Sequence, residues 1–143
     1  MKMILVLAAA LLLAGCGSGE AGSAQESISE AVSSAETHAG SYKQISQEEA
    51  AEMMTRDDGH IIVDVRRQDE YDVGHIPGAV LIPNESILSE RPEQLSDTSQ
   101  IILVYCRSGR RSKEAAQKLA DMGYTNVYEF GGIITWKGET VTE

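Results

Sequence analysis

Basic residues are scarce in this chain. Twelve Lys and Arg stand against 22 Asp and Glu over 143 residues, a formal net charge of −10. That balance argues against nucleic acid as a partner, since such binding needs an excess of cations on the protein. Cysteine is scarcer still, at Cys16 and Cys106 alone. Two cysteines allow one disulfide at most, so no framework of several bridges can staple the fold. Internal repeats are absent. No apolar run spans a bilayer either. The run from Met3 to Ala14 rises about 18 Å as a helix, against a hydrocarbon core of ~30 Å. A chain of this length has room for one domain.

The segments that are present divide the chain into three. The start, "MKMILVLAAALLLAGC", places Lys2 before the apolar run and reads as a secretory signal peptide over residues 1–15. A buried core helix is disfavoured by its extreme terminal position and the polar segment that follows. "LAGC" (Leu13 to Cys16) resembles the bacterial lipobox. The resemblance implies that Cys16 becomes the first mature residue and carries thioether-linked lipid. Stable anchoring needs more than one acyl chain, each buried CH2 contributing about 0.8 kcal/mol. The expected location is extracytoplasmic, anchored by lipid to a bacterial cell membrane. The residue after Cys16 is not Asp, which is compatible with outward export. Residues 16–41 are rich in Ser, Ala, Gly and Glu and have no aromatic side chain. They read as a flexible tether, with His38 simply solvated. If Cys16 is lipidated, Cys106 is a lone free thiol, either buried and inert or reactive.

The folded part is expected over 42–143. Ser46 and Glu49 form a capping-box pattern ahead of a helix at 47–55. Three apolar runs read as buried strands: "HIIVDV" (60–65), "GAVLIP" (78–83) and "QIILVY" (100–105). Asn84 is placed as the cap of a short helix reaching residue 90. "SKEAAQKLADMG" (112–123) reads as a helix with Ala115, Leu119 and Met122 on one face and Gly123 as its stop. "TNVYEF" (125–130) is a further strand, followed by a glycine pair and a short turn to Trp136. Strands alternating with helices predict an α/β domain with a mainly parallel sheet.

Chemistry concentrates in "VYCRSGRRS" (104–112). Cys106 follows a buried strand and precedes a helix. Ligands bind at the carboxyl ends of such strands, where helix N–H groups and neighbouring cations stabilise a thiolate. Gly109 permits a tight loop. The domain holds 11 Lys or Arg against 18 Asp or Glu. Arg107, Arg110, Arg111 and Lys113 nevertheless lie within residues 106–113, and that window holds no acid. The patch reads as a local funnel for anions rather than a solvated helix face.

These residues resemble a known family. "CRSGRRS" resembles the active-site loop of rhodanese-like domains. "DVRRQDEYDVGHIPGAVLIP" (64–83) and "GGIITW" (131–136) are similar to two further motifs of that family, in the same order. The resemblance covers roughly Tyr42 to Trp136. It implies a rhodanese-like, five-stranded mainly parallel sheet with helices on both faces. It also implies a sulfurtransferase in which Cys106 takes sulfane sulfur as a persulfide from a small anionic donor, such as thiosulfate or another persulfide. Cys106 would then pass that sulfur to a thiol or to cyanide. No metal and no cofactor are implied. Backbone N–H groups of residues 107–111, including Ser108 and Gly109, would cradle the outer sulfur. Arg107 and Arg110 would draw in the donor, and Arg111 would organise the loop. Asp64, Arg66 and Ser112 are placed as support behind it. His75, in the Gly-His-Ile-Pro-Gly turn, is read as structural, and Tyr71 and Trp136 as packing residues. The chain departs from the family in its Arg at 110 and in the short tail "WKGETVTE", which lacks proline.

Two rivals remain at this point. Cysteine phosphatases of related fold carry one residue more between Cys and Arg, room for a tetrahedral phosphate. They also have histidine where Tyr105 stands. The other rival is a sulfur-carrier or binding module without turnover, serving a membrane or periplasmic thiol partner protein.

Overall fold

The structure, a computed structural model, describes residues 40–142. The leader at 1–15, the lipidation residue Cys16 and the tether up to residue 39 lie outside the described residues. Five parallel strands form one sheet in the order β1-β5-β4-β2-β3. They are β1 (Lys43–Gln44), β2 (Ile61–Asp64), β3 (Val80–Leu81), β4 (Ile102–Cys106) and β5 (Val127–Gly132). The α-helices are α1 (Gln47–Met54), α2 (Gln68–Asp72) and α3 (Arg110–Asp121).

β4 lies at the centre, and all five of its residues are buried. Its side chains alternate between two cores, as strand geometry requires. Val104 and Cys106 pack with Val63, Ala115, Ala116 and Leu119 of the α3 face. Leu103 and Tyr105 point the other way, toward Ala50 of α1, Tyr71 of α2 and Phe130. Helices therefore cover both faces, and the expected α/β architecture is present.

The capping box of α1 forms as its sequence requires. Glu49 N–H donates to Ser46 Oγ at 3.1 Å, and Ser46 N–H donates to Glu49 Oε2 at 2.9 Å. Gly123, with φ of 99°, follows the end of α3. Several boundaries differ from expectation. α3 starts at Arg110 rather than Ser112, because Gly109 serves as its N-cap with φ of 108°. The third strand is only Val80–Leu81, since the turn at Gly78 (φ 82°) takes up the start of the run. Asn84 does not cap a helix to residue 90. It opens a single 3-10 turn, Asn84–Ser86, and its buried side chain turns to α3 instead. There Asn84 Nδ2 donates to Glu114 Oε2 at 2.9 Å, and Lys118 Nζ donates to Asn84 Oδ1 at 3.0 Å. α2 and β1 are additional short elements. The tail closes on the body through Val141, whose backbone exchanges hydrogen bonds with His75 at 2.8 and 2.9 Å.

Candidate active site

Cys106 is the last residue of β4 and 1 % exposed. The chain turns back at once, and Gly109 N–H donates to Cys106 Sγ at 3.0 Å. One peptide dipole of the loop is thus aimed at the sulfur before any ligand arrives. The left-handed φ at Gly109 is what lets four residues reverse the chain into α3.

The loop lies directly against β5. A Cβ built on Gly132 would come within 2.1 Å of Arg107 O and 2.6 Å of Ser108 Cα. Only a residue without a side chain permits that approach. Beside it, the β4–β5 register shifts between Val104 and Cys106, so that Cys106 faces Gly132. Bulges of this kind re-aim side chains next to active sites. A Gly132→Ala variant is expected to displace the loop, with a stability loss of about 1–3 kcal/mol from overpacking and a larger loss of Cys106 reactivity. Thermal unfolding and thiol alkylation rates measure the two. Normal alkylation in a folded variant would contradict the close-packing argument.

The arginines divide into roles. Arg111 forms a two-pronged ion pair with Glu70 of α2, Nη1 to Oε2 at 2.7 Å and Nη2 to Oε1 at 2.8 Å. It therefore fastens the start of α3 to α2. Arg110 reaches Glu114 at 2.8 Å in an exposed i,i+4 pair, a contact worth only about 0.3–0.5 kcal/mol and readily given up to a ligand. Arg107 is exposed. Arg67, Arg107, Arg110 and Arg111 line one cleft of about 380 Å³ together with Ser108, Glu70 and Glu85. The cleft is cationic, as an anion site requires. The larger cleft, about 570 Å³ between α1 and the Ile76–Gly78 turn, holds no residue of the loop.

Glu70 has a measurable consequence. The Arg111 guanidinium hydrogen-bonded to it holds its carboxyl down at about 2, against an ordinary 4.5. A carboxylate depressed in the folded state stabilises fully above its unfolded value. That contribution is lost as pH falls through the folded one. We expect about 1–2 kcal/mol, after screening, to disappear between pH 4.5 and 2. A Glu70→Gln variant should lose that share of the acid dependence, as read by denaturant unfolding. An unchanged acid limb would contradict the pairing.

Asp64 and Arg66 were expected behind the loop, and their contacts lie elsewhere. Asp64 is fully buried and Arg66 is 4 % exposed. Arg66 Nη2 donates to Asp64 Oδ2 at 2.6 Å and to Gly74 O at 2.7 Å. Burial opposes the Arg66 charge, yet hydrogen bonding to Asp64 keeps its pKa above the ordinary value. The guanidinium lies 5.8 Å from the Tyr105 ring centroid, and Tyr105 Oη accepts Ile76 N–H at 3.1 Å. Burial, and next the Asp64 carboxylate, push the Tyr105 phenol well up. The pair thus fixes the 74–76 turn and reaches the cysteine only through Tyr105, its chain neighbour. His75 is part of that turn: 2 % exposed, its ring stacked on Tyr71 at 3.7 Å, its Nδ1 2.9 Å from Tyr71 O. Trp136 packs on Phe130 at 5.7 Å between ring centroids.

Ser112 is in contact with the sulfur: the Cys106 thiol donates to Ser112 Oγ at 3.5 Å. Behind it stands a residue that the sequence analysis missed, Glu129 of β5, which is 1 % exposed. No local pattern marks either Glu129 or Glu70. Each is one acid among many until the chain folds.

A family model for the Rhodanese-like domain matches residues 46–139. The chain belongs to the rhodanese-like family. It is 40 % identical over 102 residues to the thiosulfate sulfurtransferase GlpE of Coxiella burnetii, covering 71 % of this chain and 92 % of that one. It is 39 % identical over 92 residues to the adenylyltransferase and sulfurtransferase UBA4 of Meyerozyma guilliermondii. That match covers 59 % of this chain and only 22 % of the larger protein. Among solved structures, an Escherichia coli rhodanese with anions superposes with a TM-score of 0.54 at 33 % identity. The superposition covers 59 % of this chain and 99 % of that one. The rhodanese-like fold expected from the sequence is therefore established. Its curated relatives include thiosulfate sulfurtransferases and a protein of Bacillus subtilis named as a sulfur carrier. The latter is 35 % identical over 104 residues, covering 72 % of this chain and 55 % of that one.

Proposed function

We propose that this rhodanese-like protein is a sulfurtransferase working through a Cys106 persulfide. Cys106 Sγ attacks the sulfane sulfur of an anionic donor such as thiosulfate. The donor's S–S bond breaks and sulfite leaves with the electron pair. The outer sulfur stays on the enzyme as Cys–S–S⁻ until a thiol or cyanide removes it. The carrying observation is the Gly109 N–H directed at Cys106 Sγ, in a loop whose Arg107 and Ser108, with Arg110 and Arg111 after them, line a cationic cleft. Arg111 favours sulfur over phosphate. Both prongs of its guanidinium are taken by Glu70, and four residues separate Cys106 from Arg111, one fewer than in the cysteine phosphatase loop that holds a tetrahedral phosphate.

Mass spectrometry after thiosulfate treatment tests the reading. The Cys106 peptide should gain one sulfur, and cyanide should then release thiocyanate. An unmodified peptide and no thiocyanate would sink the proposal. We further propose that the domain works outside the cytoplasm, held by lipid on Cys16, with the Ser- and Glu-rich segment as its tether. Cys16→Ser should then move the protein from the membrane fraction to the soluble one, and unchanged fractionation would refute anchoring.

A further inference from the structure

Glu129 is a buried carboxylate whose hydrogen-bond partners are all neutral. Its Oε1 accepts Ser112 Oγ–H at 2.5 Å and Gly131 N–H at 2.8 Å, and its Oε2 accepts Gln44 Nε2–H at 3.2 Å. Among the described residues no Lys or Arg bonds to it. A buried charge without a cation is costly. A glutamine could fill the same hydrogen-bonding place with no charge to bury. What distinguishes the carboxylate from an amide in that place is that it can accept a proton.

The source of that proton is in line. The Cys106 thiol donates to Ser112 Oγ at 3.5 Å, and Ser112 has a single hydroxyl hydrogen. Gly109 O and Gly131 O lie 3.0 and 3.4 Å from Ser112 Oγ, farther than the carboxylate. A hydroxyl-to-carboxylate bond this short is charge-assisted and takes the hydrogen. The result is a chain of three groups: thiol, hydroxyl, carboxylate.

We propose that Glu129 receives, through Ser112 Oγ, the proton that Cys106 gives up when it attacks a sulfur donor, and returns it when the sulfur leaves. The thiol proton moves to Ser112 as the Ser112 proton moves to Glu129. Sγ bonds the sulfane sulfur, and sulfite departs with the electrons of the broken S–S bond. The products are Cys106–S–S⁻, protonated Glu129 and sulfite, and the total charge is unchanged. When the acceptor removes the outer sulfur, the thiolate takes its proton back along the same path. During transfer thiolate and carboxylate therefore need not both be charged at once, an arrangement that like-charge repulsion disfavours. Glu129 is a positioning residue for the proton and makes no contact with the donor.

The charged groups about this pair are few. On α3, Lys113 lines the same cleft as Glu129, about 320 Å³, in which Glu129 is the sole carboxylate. Arg111, held by Glu70, feels Cys106 electrostatically. On β1, Gln44 is neutral and the Lys43 ammonium lies over the Tyr128 ring. On α1, Gln47 is neutral and donates to Gly132 O. Arg107 of the loop lines the other cleft.

The inference rests on the persulfide reading for its purpose, and the test separates the two. Iodoacetamide alkylation of the full chain carrying Cys16→Ser is followed against pH at the Cys106 peptide. Two groups sharing one proton titrate in two steps that belong to the pair. The Glu129-containing protein should show two steps with a plateau between them. Glu129→Gln should show one step and at least a tenfold slower reaction in the plateau region, with folding checked by thermal unfolding. Glu129→Asp should restore the second step. Ser112→Ala, which breaks the bridge and keeps the acid, should also leave one step. Two steps in Glu129→Gln, or a single step in the parent, would overturn the proposal. A parent with two steps that takes no sulfur from thiosulfate would instead overturn the sulfurtransferase reading and leave the shared proton standing.

Discussion

A Cys106→Ser variant is expected to lose sulfur transfer by at least about a thousandfold, while its melting temperature stays close to that of the parent. The chemical argument is that persulfide formation needs a polarisable sulfur that can exist as an anion near neutral pH, and a serine hydroxyl supplies neither property. Loss of the attacking atom removes the step itself, so the effect exceeds that of any positioning residue. The structural argument is one of fit. The site is 1 % exposed and closely packed, and an oxygen is smaller than the sulfur it replaces. Gly109 N–H keeps an acceptor, and Ser112 Oγ keeps a donor. Thiosulfate:cyanide transfer and thermal unfolding read the two halves. Residual transfer near the parental rate would exclude Cys106 as the sulfur carrier. Aryl phosphate turnover by the parent, lost in this variant, would restore the phosphatase reading.

Arg66→Met should be the most destabilising of the substitutions considered, by about 3–5 kcal/mol. Methionine fills much of the space but leaves the fully buried Asp64 without its cation, and Gly74 O without its donor. For a domain of this size that corresponds to a fall in melting temperature of about 15–25 °C. The loss should reach the cysteine as well, because Arg66 packs over Tyr105 and the Tyr105 hydroxyl holds Ile76. The Asp64→Leu, Arg66→Met double variant separates charge from packing. Removing both charges should recover a large part of the stability, since a buried pair is often no better than apolar residues of similar volume. A double variant as unstable as Arg66→Met would mean that the hydrogen bond to Gly74, not the unpaired Asp64, carries the cost.

Legibility in the sequence followed the distance over which each feature is encoded. The capping box needs only Ser46 and Glu49. Cys106, Gly109, Arg110 and Arg111 lie within six consecutive residues, so the candidate anion cradle is visible as a string of letters. The long apolar runs marked β2 and β4, the interior of the sheet, because burial on both faces demands them. β1 and α2 were not visible. A two-residue edge strand has no periodicity, and a five-residue helix is set by its neighbours rather than by propensity.

The sequence by itself determined the candidate nucleophile, the glycine-permitted loop, the excess of local positive charge and the alternation that makes a parallel sheet. Tertiary structure decided what each charge does. It sent Asp64 and Arg66 to the 74–76 turn and left the organising of the loop to Arg111. It brought Glu70 from 41 residues away to hold Arg111, and Glu129 from 17 residues away to Ser112. The reason is physical. A carboxylate's role depends on which donors surround it and how little water reaches it. Both are set by the packing of β5 and α2 against the loop, not by the residues adjacent in the chain.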